Sequence, residues 1–424
     1  MKRIILLVLA VLLICPSITG AENIFKKGEI INLDRCIEIA LRINPTITIA
    51  TNAVNINQSK VGQAQANYYP QVEWSSGYAK NSPVSSRTDS SYDAYSSSIG
   101  LRQTIFDFGK TSTNVRIQKL NLNSSRFDLE NVSDEIIFSV KQAYYGVLQA
   151  KRTRDVAEET VTQFNQQLEQ AKGFYEVGIR PKFDVTKAEV DLSNAKLNLI
   201  KAENALSIAR VILNNAMGVT DAPEYRLEDN LFFQKYEITF EDAIEKTYEN
   251  RPDLKSIIAK KEAAEESINL AKKGYYPVVS GDANYEWAGQ QFPLEDGWNA
   301  GVTVTFPLFS GFSTTYQVKE SKATANVLRA NEESLRQTIF LEVQQAYLNL
   351  KEAEERIPAA ELTVKQAEEN LELANGRYAA GVGNAIEVTD AQVAYSSAKR
   401  SYIQALYDYK VAQASLEKAM GGKR

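Results

Sequence analysis

Glu387 and Asp390 stand three residues apart at the start of a helical pattern, and their carboxylates are the side chains best placed to act together. Residues at i and i+3 share one helical face, so both groups point the same way. Such a pair can trade protons as acid and base, or it can gather cations. The composition removes the partners that most catalysis would need. None of the 424 residues is histidine, which excludes Ser-His-Asp and Cys-His nucleophile systems and His-containing zinc centres. Cys15 and Cys36 are the two cysteines, too few for a four-cysteine metal site or a disulfide framework. Gly381-Val382-Gly383 lacks the third glycine of a dinucleotide loop and follows a helix rather than a strand. No catalytic residue, metal or cofactor is assigned, and an enzyme is not expected. What remains for Glu387 and Asp390 is electrostatics. The same stretch also has a plainer reading. Asn384-Ala385-Ile386-Glu387 has capping-box spacing, and acids in a first turn suit the helix dipole. A cap and the lining of a passage are compatible. The net charge of -5 lacks the concentrated basic face that nucleic acid would require.

The elements that must position this pair are written twice. Tyr68-Tyr69-Pro70 recurs as Tyr275-Tyr276-Pro277, and Asn44-Pro45 is echoed by Arg251-Pro252, both 207 residues on. Val140 to Tyr144 answers to Val343 to Tyr347, Tyr175 and Gly178 to Tyr378 and Gly381, and Met217-Gly218 to Met420-Gly421, all at 203. A repeat of this length is a duplicated structural unit rather than a solenoid of short modules. We expect a first repeat over 22–218, a connector over 219–237 and a second repeat over 238–424.

Each repeat switches from helical to two-residue periodicity and back. Val279, Gly281, Ala283, Tyr285 and Trp287 alternate with Ser280, Asp282, Asn284 and Glu286. Trp298, Ala300, Val302, Val304 and Phe306 alternate in the same way with polar neighbours. The pattern predicts strands over about 278–288 and 297–307, with weaker counterparts over 71–79 and 97–106. The polar stretch from Lys80 to Ser98 is assigned to an exposed loop. Strands of about 10 residues match the length needed to cross a bilayer, and aromatic residues mark their ends. Four strands cannot close a barrel and open edges are not tolerated in lipid, so several chains must share one barrel.

Long helices are predicted over about 110–176, 182–216, 312–376 and 384–420. Between Lys110 and Phe174 there is no proline, and from Thr314 to Ala374 the single interruption is Pro358. A 65-residue helix reaches roughly 97 Å, so it needs partners along its length. The partner code is a seam of alanines seven apart, Ala188 to Ala216 and Ala391 to Ala419, with larger residues in the offset register. Alternation at four and three residues is a coiled-coil pattern in which small residues let backbones approach closely. Ahead of all this, Lys2 and Arg3 precede eleven apolar residues, Ile4 to Ile14, then Pro16 and small residues. This predicts a secretory signal peptide over 1–21, too short to span a bilayer. Cys36, on an apolar helical face, is expected to be buried and inert.

Taken in order, these motifs resemble the TolC-type outer membrane factor family. The likeness runs through both repeats, from Leu33 to Pro45, through Tyr-Tyr-Pro before each first strand, Ile105 to Gly109 and Leu308 to Gly311 after each second strand, Val177-Gly178 and Ala380-Gly381 at the turns, to the terminal Met-Gly. The resemblance implies a mixed fold, a membrane β-barrel continued by a long α-helical coiled-coil barrel. A homotrimer would pool four strands per chain into a twelve-stranded barrel in the outer membrane, with the helical part in the periplasm. In such a fold the shorter helices, here about 46–67 and 184–215, stack end to end to match a long one. The implied function is a passive exit duct of a tripartite efflux or type I secretion system, working with a periplasmic adaptor and an inner-membrane pump. The adaptor would dock on the tips, carried here by Gly178, Ile179, Arg180, Gly381, Val382 and Gly383. Glu387 and Asp390 match the family's acidic narrowing, with Tyr378 as a gating partner. Some members carry an arginine where this chain has Gly383, which weakens an ion-pair lock of that kind. The rival reading is a periplasmic coiled-coil adaptor or scaffold, which would not be expected to carry two copies of a membrane-length strand pair.

Overall fold

The computed structural model describes residues 28–82, 91–220 and 222–422. The signal segment and Cys15 therefore lie outside the described residues. In chain order the elements are β1 (Ile30–Ile31), α1 (Leu33–Ile43), α2 (Pro45–Gln65), β2 (Gln71–Asn81), β3 (Tyr92–Phe106), α3 (Lys110–Glu176), α4 (Lys182–Met217), β4 (Arg226–Leu227), α5 (Phe240–Asn250), α6 (Pro252–Lys272), β5 (Val278–Gly289), β6 (Glu295–Thr305), α7 (Ser313–Ala379) and α8 (Ala385–Ala419). The chain divides into two compact units that do not follow the sequence repeat. One holds residues up to Asn44 with Ala143–Phe232, and the other holds Pro45–Gln142 with Phe233–Arg424.

In the first unit α1 packs on α4, and the short β1 pairs in parallel with β4. Cys36 is fully buried there, and burial pushes its thiol up to about 12, so it stays protonated and unreactive. Where α3 and α4 meet, Phe164, Leu168 and Ala171 close on Ala188, Leu192 and Ala195. Farther along α4 the faces carrying Leu197, Ile200, Ile208 and Val211 are exposed within one chain. The side chain of Asn44 donates to the carbonyl of Ala216, 3.0 Å away.

In the second unit α7 and α8 pack along each other. Ala391, Ala398, Ala405 and Ala419 are buried, as are Val388, Tyr395, Tyr409 and Leu416, so the alanine seam of this half lies inside the helix pair. Pro358 does not interrupt α7, which runs unbroken for 67 residues. A proline inside a helix costs about 3 kcal/mol. Its neighbours Leu350, Ala353 and Ile357 are buried, and that packing overrides the local preference. The Arg251 side chain reaches the carbonyl of Ala419 at the end of α8 (3.5 Å) and forms ion pairs with Asp253 and Glu342. It fastens the start of α6 to the end of α8 and to α7.

The larger sheet has the order β2-β3-β5-β6, antiparallel throughout. β2 and β3 extend beyond the apolar alternation, pairing out to Asn81 and Tyr92. Much of the stretch assigned to a loop is therefore ladder. Its backbone hydrogen bonds continue where its side chains have turned polar, and side-chain pattern alone does not register them.

Candidate functional site

The register sorts the sheet's side chains into rows. Trp74, Ile99, Tyr285 and Trp298 stand opposite one another across all four strands, and so do Val72, Leu101, Ala283 and Ala300. The intervening rows are Glu73, Gly100, Asn284 and Asn299, then Gln71, Arg102, Asp282 and Gly301. In these rows one face is apolar and the other predominantly polar across all four strands. The apolar face is not covered by protein, since Trp74 is 69% and Trp298 76% exposed. A bare face of this size belongs against lipid or another protein. No helix among the described residues is long and apolar enough to cross a membrane. The sheet is the element suited to do so.

The two helical turns share one construction. At the end of α3 the N–H of Gly178 donates to the carbonyl of Tyr175 (2.9 Å) and that of Ile179 to Phe174 (2.9 Å). At the end of α7 Gly381 donates to Tyr378 (3.1 Å) and Val382 to Arg377 (3.0 Å). Both are Schellman ends, and both place a glycine at positive φ, 76° for Gly178 and 80° for Gly381. Gly383 serves differently, because a Cβ there would come within 3.0 Å of the Tyr378 nitrogen and the Arg377 Cβ. The helix starts diverge. Pro181 precedes α4 with no side-chain cap, whereas the Asn384 Oδ1 accepts from the Glu387 N–H at 2.9 Å. Val177 and Ile179 at the first turn and Val382 at the second are exposed.

At the second turn the acidic pair separates from the tyrosine. Glu387 and Asp390 are exposed, while Tyr378, near the end of α7, is 1% exposed. The Glu387 side chain turns toward Arg377, whose Nε lies 3.4 Å from Oε2. Arg377 was not among the residues singled out from sequence. Its pairing depends on the α7–α8 turn folding back, which the nine intervening residues do not spell out. At the first turn Arg180 is part of the loop, Asp184 is buried, and Lys187 pairs with Asp191 at 2.5 Å along α4.

A sheet with one bare apolar face, carried on hairpins of very long helices, is the build of a membrane channel protein. Comparison with known proteins agrees. The family model described as "Outer membrane efflux protein" matches residues 36–219 and 243–422, one segment in each repeat. The chain belongs to the outer membrane efflux protein family. It is similar to outer membrane protein TolC of Vibrio cholerae, 22% identical over 366 residues, covering 83% of this chain and 82% of that protein. Its fold matches the crystal structure of CusC with a TM-score of 0.80 at 17% identity, covering 97% of this chain and all of that one. It also matches the Campylobacter jejuni CmeC outer membrane channel with a TM-score of 0.80 at 18% identity, covering 92% and 85%. The protein is accordingly an outer-membrane exit channel of a tripartite efflux system, a duct rather than an enzyme. Channels of this family work with adaptors and pumps.

Proposed function

We propose that three copies of the chain assemble into one conduit, each supplying four strands to a twelve-stranded barrel and its helices to a periplasmic cylinder. The supporting observation is that the sheet ends in two edges, β2 and β6, while its apolar face needs lipid. Unpaired strand edges in hydrocarbon leave backbone groups without partners, so edge must meet edge on a neighbouring copy. The exposed apolar face of α4 calls for the same neighbour. A periplasmic adaptor docks on the turns around Gly178, Ile179 and Arg180 and around Gly381, Val382 and Gly383, linking the duct to an inner-membrane pump. Glu387 and Asp390 line the inner end, where threefold repetition would gather six carboxylates and favour cations. Tyr378 is assigned to that gate as a packing element, holding the end of α7 against α8. The protein should dissolve only in detergent and run as a trimer that dissociates on boiling. A monomer soluble without detergent would overturn the assembly.

A further inference from the structure

We propose that a notch at the junction of sheet and helices binds the phosphate of an anionic phospholipid in the periplasm-facing leaflet of the outer membrane. The notch, about 530 Å³ in volume, lies between the start of α3 and the end of α6 and is bordered by Arg116, Lys272, Lys273, Glu266 and Tyr276. Three cations face one carboxylate. Arg116 lies 3.3 Å from Glu266 and is itself exposed. Lys273 is built in, its Nζ donating to the carbonyl of Gly109 (2.8 Å) and to the Thr113 hydroxyl (2.6 Å). Glycine at 109 is what admits it, because a Cβ there would stand 2.8 Å from that nitrogen. Lys272 is exposed and has no carboxylate partner among the described residues.

The notch adjoins the lipid-facing aromatics. Phe106 pairs with Val279 and so shares the apolar face of the sheet. Its ring packs edge-on to Phe108 at 4.7 Å, and Phe108 stacks on Tyr276 at 5.4 Å and 13°. Phe108 holds this stack at a φ of 54°, a left-handed conformation that is costly for a side chain of its size. Tyr276 is therefore both the edge of the aromatic belt and the rim of the notch. Aromatic rings settle at headgroup depth, which brings Arg116 and Lys272 level with lipid phosphates, and basic residues at that depth attract anionic headgroups. The duplication supplies an internal contrast. At the positions 207 residues earlier than Lys272 and Lys273 the chain has Gln65 and Ala66, so the architecture does not by itself require the charges.

Native mass spectrometry of the full-length, delipidated protein, titrated with phosphatidylglycerol, phosphatidylcholine or inorganic phosphate, tests the assignment. Phosphatidylglycerol is expected to be retained in preference to phosphatidylcholine, and Arg116→Gln with Lys272→Gln to weaken it by about 25-fold, near fivefold per charge. Lys272→Arg should retain binding, which separates loss of charge from loss of fold. Equal retention by wild type and the double glutamine variant, or equal retention of phosphatidylcholine, would overturn the proposal. Displacement of the lipid by millimolar inorganic phosphate would overturn it too, by making this a free-anion site.

Discussion

At the scale of single residues, the acidic end of α8 combines two roles in one turn. The Glu387 backbone is capped by Asn384, while its carboxylate turns toward Arg377. The exposed pair contributes little to stability, on the order of 0–1 kcal/mol. Its consequence is electrostatic, since Arg377 offsets part of the charge that Glu387 and Asp390 present. Glu387→Gln with Asp390→Asn is expected to lower the cation preference of single channels in planar bilayers, measured from reversal potentials in a salt gradient. Unchanged reversal potentials would remove both residues from the inner opening. The capping role was legible in the order Asn384 to Glu387. The pairing with Arg377 was not, because it requires the backbone of residues 381–383 to reverse.

At the scale of elements, charge joins helices where alanine brings them close. Lys261 on α6 pairs with Glu332 on α7 at 2.7 Å, and Arg336 one turn on pairs with it at 2.8 Å. Hydrogen bonds from Lys261 and then Arg336 hold the Glu332 carboxyl below its ordinary value of 4.5. A lowered folded pKa stabilises the protein above the ordinary carboxylate range, and that contribution fades as pH falls through the folded value. Glu332→Gln should therefore cost about 1 kcal/mol near neutrality. Thermal melts of the two proteins should converge as pH falls below the ordinary carboxylate range, and an equal gap at all pH values would refute the linkage. Helix lengths and the alanine seam could be read from spacing alone. The continuity of α7 through Pro358, inside the helix expected over 312–376, rests on its buried neighbours, which the local preference of proline does not reveal.

At the scale of the whole molecule, the sheet decides where the protein lives. Val302 on β6 belongs to the apolar face and Thr303, beside it, to the polar face. With lipid on the first and the conduit on the second, Val302→Lys should cost about 2–4 kcal/mol of membrane folding stability if it sits near the bilayer centre. Thr303→Lys should be nearly neutral. Urea titration of folding into vesicles reads the difference, and equal tolerance of both lysines would mean that lipid does not cover the Val302 face.

Periodicity, spacing and composition by themselves established the duplication, the strands with their two faces, the long helices, the glycine turns and the absence of imidazole chemistry. These are properties of neighbours along the chain, where a period of two or of 3.6 is imposed by backbone geometry. The tertiary structure decided which residues from distant segments share a row of the sheet, that the acidic pair is exposed while Tyr378 is buried, and that lysines at the end of α6 border one notch with an arginine at the start of α3. Those relations depend on strand register and helix packing, which arise from the sum of many weak contacts and leave no local mark in the order of residues.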